Sequence, residues 1–150
     1  MAKLDARQVK RAKQLTYSGT LPFLLCALGY YSNCKGMDFQ AAAIAYAMLI
    51  IAFLSGIHWA IYLSSAKKCS NNLLISSNAI TLIAYATFFI AKPAVSLGLD
   101  LLCFWTLLLY DKTLQRVNLL PLWYYQLRRN ATFIVSLLII SLIYSLLPIQ

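Results

Sequence analysis

The sequence predicts an all-α membrane protein: a five-span transmembrane helical bundle with a short interfacial aromatic segment between spans four and five. Hydrophobic residues make up 61% of the chain and charged residues 11%, against about half and about a quarter in soluble domains. The apolar residues fall in blocks close to the roughly 20 residues that cross a bilayer as a helix. The basic residues collect at the ends of those blocks. This placement argues against nucleic-acid binding despite the net charge of +9, because membrane topology puts basic residues at span ends.

Residues 1–13 form a basic tail with Lys3, Arg7, Lys10, Arg11 and Lys13 against Asp5. No small-residue cleavage site follows, so the tail is expected to be retained on the cytoplasmic side, as a short amphipathic helix at the surface. The single transmembrane bundle occupies 14–150. Its first span, 14–31, contains Pro22 and is expected to kink. The second is 39–64, the third 72–91, the fourth 94–110 and the fifth 131–147. Residues 117–127 are too short to span and hold Pro121, Trp123, Tyr124 and Tyr125. Aromatics of this kind favour the headgroup level, so the segment is expected to lie in the membrane surface. With the N-terminus inside, eleven basic residues fall in cytoplasmic segments, and only Lys35 and Lys92 fall outside. That asymmetry predicts a cytoplasmic N-terminus and an external C-terminus.

Ionisable residues within spans usually face the bundle interior and pair with something. His58 and Asp100 are the two here. His58 lies about 9 Å from the inner end of its span at the usual helical rise. Asn78 reaches the same depth on the next span, which makes a His58–Asn78 hydrogen bond reasonable. Tyr85 and Asp100 match in depth at the other end. A thin polar seam of His58, Asn78, Tyr85 and Asp100 is therefore expected between spans two, three and four. It serves either to fix helix packing or as way-stations for protons or a small ligand. Ala52, Gly56 and Ala60 recur every four residues as a stripe that admits a close helix neighbour. His58 projects about 160° away from that stripe.

Four scattered cysteines, Cys26, Cys34, Cys69 and Cys103, show no metal-ligand spacing. A single histidine excludes bis-histidine haem ligation within one chain. No hydrolase, zinc or phosphate-loop motif is present. Neither a metal, a cofactor nor an enzymatic activity is expected.

Two stretches carry a family likeness. Tyr46, Phe53-Leu-Ser-Gly56 and His58-Trp59-Ala60 resemble the Tyr, Phe-Leu-x-Gly and His-Trp-Gly of the transmembrane-protein-69-like family, a multi-pass domain of unknown function. Pro121-Leu-Trp123-Tyr124-Tyr-Gln-Leu127-Arg128 resembles that family's Pro-x-Trp-Tyr-x-x-Leu-Arg. Ser55 and Ala60 stand where the family tends to have glycine. The likeness covers roughly residues 15–147. It implies a bacterial inner-membrane protein with mitochondrial inner-membrane relatives and brings no established activity. It singles out His58, Trp59, Trp123, Tyr124 and Arg128; Trp59, Trp123, Tyr124 and Arg128 are expected as interfacial anchors.

The lipid bilayer is the first expected partner, followed by a larger membrane complex or a second copy of the chain. The primary functional expectation is a non-enzymatic accessory or assembly partner of such a complex. The alternative is a small proton-coupled carrier or channel using His58 and Asp100.

Overall fold

Residues at the block ends set where each helix starts and stops. The computed structural model describes residues 5–33, 36–65 and 72–146. Among these there are six helices, α1 (Ala6–Ser18), α2 (Leu21–Tyr31), α3 (Phe39–Ser65), α4 (Asn72–Thr87), α5 (Pro93–Arg116) and α6 (Leu122–Leu146), and no strand. Lys3, Lys35, Lys67, Lys68, Cys34 and Cys69 lie outside the described residues.

Asp38 caps α3, its Oδ1 accepting the Gln40 and Ala41 backbone N–H groups at 3.0 Å each, which satisfies two donors that a helix start leaves open. Pro22 and Pro93 sit in the first turns of α2 and α5, where the missing N–H costs nothing. Asn33 and Asn118 follow the ends of α2 and α5 with φ of 50° and 58°. This left-handed conformation closes helices and is tolerated by asparagine.

Three helices, α3, α5 and α6, are long and apolar enough to cross a membrane, and the apolar part of α4 is shorter. Their boundaries differ from expectation in three places. Residues 14–31 are not one continuous helix: the helix is interrupted at Gly19–Thr20, so 14–18 finish α1 and Pro22 opens α2. The third apolar segment ends at Thr87 rather than 91. The carbonyl freed there accepts a hydrogen bond from Ser96 Oγ at 2.9 Å. Finally, residues 122–127 are not a surface segment but the opening turns of α6. Pro121 precedes that helix and so starts it instead of interrupting it.

The core lies where α2, α3, α5 and α6 meet, around Phe23, Ala43, Ala47, Leu107 and Ile139. Phe23 is wedged edge-on between Tyr46 and Phe104, with ring centroids 5.0 and 6.2 Å away. The small residues that admit close helix approach are Ala43 and Ala47, both fully buried. Ala52, Gly56 and Ala60 are exposed instead, and a Cβ added at Gly56 meets nothing within 4 Å. The packing role expected of that stripe is thus filled by a different face of the same helix. The reason is geometric: the buried face runs through Ala47, Ile51, Leu54 and His58, which turns Gly56 outward.

Helix lengths shape what remains. At about 1.5 Å per residue, α2 covers about 16 Å while α3 runs for about 40 Å. The far end of α2 is tied to α6 by Tyr31 Oη donating to Ser141 O at 2.8 Å. At its near end Tyr46 Oη donates to Gly19 O at 2.9 Å. Below that point α1, not α2, faces α6.

Candidate functional site

Three helices bring one polar side chain each to the same end of the bundle. His58 stands near the end of α3, Asp111 near the end of α5 and Arg128 near the start of α6. His58 Nε2 lies 2.9 Å from Asp111 Oδ1, and Arg128 Nε donates to Asp111 Oδ2 at 3.2 Å. All three residues are buried, with 2, 2 and 7% of their surface exposed, so the charge of the guanidinium is held away from bulk water by one carboxylate. Tyr110 packs edge-on to the imidazole at 6.2 Å. An arrangement of this kind is stable only while each member keeps its partners, because one unpaired buried charge costs several kcal/mol.

Polar capacity remains in the group. Arg128 Nη2 and His58 Nδ1 are buried with no hydrogen-bond partner, and so is Oγ1 of Thr132. Thr132 lies one turn beyond Arg128 on the same face of α6. Both residues form part of the wall of a cavity of about 310 Å³, near the lower size limit of small-molecule sites. The rest of the wall is mainly apolar: Leu15 from α1, Ile50, Phe53, Leu54 and Ile57 from α3, Phe104 from α5, and Ala131 and Val135 from α6. Thr16 and Thr20 also line it, but their hydroxyls donate to Ala12 O and Tyr17 O. The cavity lies between α1, α3 and α6 and is open to one side, with Leu15 and Phe53 on its wall 72 and 67% exposed.

A second polar group lies between α4 and α5. Asp100 is fully buried, and the one proton of the Thr87 hydroxyl is shared between Ala84 O at 2.7 Å and Asp100 Oδ1 at 3.0 Å. Its Oδ2 has no partner. Among the described residues no group of three or more histidine, cysteine or acidic side chains could hold a metal ion, and Cys26 and Cys103 are buried and free.

One family matches the chain over residues 8–145, described as "Protein of unknown function (DUF3429)". The protein belongs to this family. No curated protein and no solved structure matches it.

The structure separates the residues expected to form one seam. His58 is not paired with Asn78, which is exposed; its partner is Asp111. Tyr85 is also exposed, at 54%, and packs edge-on to Phe89, while Thr87 takes the place beside Asp100. Matching depth is necessary for a pair but does not decide which way a side chain points. Arg128, expected at the surface as an anchor, is buried and turned toward Asp111. Trp123 and Tyr124 are half-buried and pack edge-on to one another at 5.9 Å; Trp59 is exposed. Asp111 and Thr132 went unnoticed in the sequence. Asp111 had a signal: Ser96, Asp100, Cys103, Leu107 and Asp111 are spaced four, three, four and four apart, one continuous helical face. All five are buried.

Proposed function

We propose that this family member is a non-enzymatic, five-crossing membrane protein that holds a small apolar-bodied molecule in the cavity between α1, α3 and α6. Arg128 and Thr132 form part of that cavity's wall. The observation that carries this reading is the cavity itself, about 310 Å³ with a mainly apolar lining, a size and character that suit a small apolar-bodied ligand. The reading keeps the carrier class and moves its polar centre from His58 and Asp100 to His58, Asp111 and Arg128.

In this reading the end of α1 together with α2 makes the first crossing, and α4 is a short one. The basic residues support a cytoplasmic N-terminus, which puts the ion triad toward the cytoplasmic side of a bacterial inner membrane. The kinship with transmembrane-protein-69-like proteins rests on the His58-Trp59 and Pro121 to Arg128 motifs, and both motifs supply triad members.

The test is mass spectrometry of small molecules extracted from the purified protein. A compound near one per chain in the wild type, and missing from a folded Ala131→Phe variant whose cavity is filled, supports the reading. The same compound at the same level in both overturns it.

A second reading, the accessory partner of a larger complex, is favoured by the exposed Ala52, Gly56 and Ala60 face of α3. It predicts a large native particle after mild detergent extraction that Gly56→Leu reduces to the single chain. A wild-type particle no larger than one or two copies removes it.

A further inference from the structure

We infer that Asp100 is a proton-binding site: its carboxyl stands as the neutral acid, with the proton on Oδ1 donated to Thr87 Oγ1. The inference is independent of the cavity and concerns the corner where α4 ends against α5.

Hydrogen counting at that corner carries it. Thr87 Oγ1 lies 2.7 Å from Ala84 O and 3.0 Å from Asp100 Oδ1. A hydroxyl has one proton to give and two lone pairs with which to accept. Ala84 O can only accept, and it belongs to the last turn of α4, where intrahelical donors run out. The N–H four residues on, that of Phe88, donates instead to Tyr85 O at 3.3 Å. The shorter contact therefore takes the Thr87 proton. An ionised carboxylate is acceptor-only as well, so an ionised Asp100 would hold at most a share of a hydrogen already in use. The neighbouring hydroxyl of Ser96 offers no help, because it donates to Thr87 O at 2.9 Å. A proton on Oδ1 ends the shortage. Asp100 then donates to Thr87, Thr87 donates to Ala84, and each contact has a hydrogen of its own.

The surroundings favour the same state. Asp100 is 0% exposed, and its Oδ2 has no partner. Leaving a bare oxygen buried costs far less on a neutral acid than on a charged carboxylate. Leu97 and Phe104, three residues before it and four after, are buried on the same face of α5. No described cation forms an ion pair with Asp100. The titratable groups of α3 are Tyr46, His58 and Tyr62, and α4 holds the exposed Tyr85; neither helix carries a lysine or arginine. On α6 Arg128 is engaged by Asp111 and Arg129 is exposed, while on α5 Cys103 shares the buried face of Asp100. Carboxylic acids held in apolar sites of this kind can stay neutral and act as hydrogen-bond donors.

The experiment is infrared spectroscopy of the full chain at pH 7, in a detergent that has no carbonyl group. The chain has four acidic side chains, so the carbonyl stretch of a protonated carboxyl can be assigned with isotope-labelled aspartate. An ordinary aspartate is protonated about once in a thousand at pH 7. A band near one protonated carboxyl per chain is expected, about a thousand-fold above that level. Asp100→Asn keeps an N–H to donate to Thr87 and is expected to fold while losing the band. Thr87→Val leaves the carboxyl in place and removes its acceptor, so the band is expected to persist at higher frequency. That shift keeps the test standing even where Asp100→Asn does not fold. Absence of the band in the wild type overturns the inference. A band that remains in folded Asp100→Asn belongs to another acid and overturns it too. An unchanged frequency in Thr87→Val overturns the placement of the proton on the Thr87 side.

Discussion

Replacing Asp111 with alanine tests whether the three-helix ion group holds the bundle together. The carboxylate accepts from Arg128 Nε at 3.2 Å and pairs with His58 Nε2 at 2.9 Å, so its removal strips a partner from α3 and α6 at once. Each hydrogen bond to a charged group contributes about 1.5–3 kcal/mol, and leaving one member of a buried ion pair alone costs about 3–5 kcal/mol. We expect Asp111→Ala to lose about 3–5 kcal/mol on this basis. The assay is reversible unfolding in mixed micelles, with helix content followed as denaturing detergent increases. Removing both charges distinguishes a paired carboxylate from a merely bulky one. Asp111→Leu combined with Arg128→Met replaces the pair by apolar groups of similar size, which is often neutral or stabilising in a buried setting, although His58 Nε2 then loses its partner. The double variant is therefore expected to be more stable than Asp111→Ala alone. A loss below about 1 kcal/mol in the single variant, under the range for a broken buried pair, refutes the argument. So does a double variant no more stable than Asp111→Ala.

Four further outcomes follow from the packing. Thr87→Val removes the hydroxyl that bonds Asp100 and is expected to cost about 1–3 kcal/mol, the range for a buried polar group left unsatisfied; Asn78→Ala, at an exposed position, is expected to change stability by no more than about 0.5 kcal/mol. The same unfolding assay measures both. A Cβ at Gly29 runs into the Phe39 ring, so Gly29→Ala is expected to cost about 1–3 kcal/mol through overpacking, and a smaller effect shows that the ring swings clear. Gly56→Leu, whose side chain points away from the bundle, is expected to leave the unfolding of the isolated chain unchanged; a marked loss means that α3 is rotated from its described position.

Much of the architecture was legible because length and charge act on whole segments. Apolar runs marked the core of every long helix, and lysines and prolines marked most of the ends. The segment at Pro121 was misread because a proline beside aromatics looks the same in a surface loop and in a first helical turn. Only the cap that follows, with Tyr124 and Tyr125 N–H donating to Pro121 O, separates the two. The site was half legible. His58 and Asp100 stood out as costly residues in apolar runs, and Arg128 stood out through its motif. Asp111 was hidden by its neighbour Lys112, which made the pair look like a solvated span end. One more turn of helix carries Asp111 inward, although the run of apolar residues has already stopped. Rotation about a helix axis is set by packing against several neighbours, and no single segment encodes it; this is why Asn78 and Tyr85 had the right depth and the wrong direction.

In the proposed membrane setting, the early end of α4 at Thr87 has a consequence for the surrounding lipid. Its 16 residues rise about 24 Å, while a typical hydrocarbon core is about 30 Å thick. With α4 as a crossing, lipids along that flank must thin toward the helix while those beside α3 need not. The protein then presents a lopsided hydrophobic girdle, and mismatch of this kind is relieved by local bilayer deformation at a modest cost per ångström. The expected signature is a dependence on acyl-chain length: greater stability in bilayers of shorter lipids, through an energy that resides in the membrane and in none of the side-chain contacts.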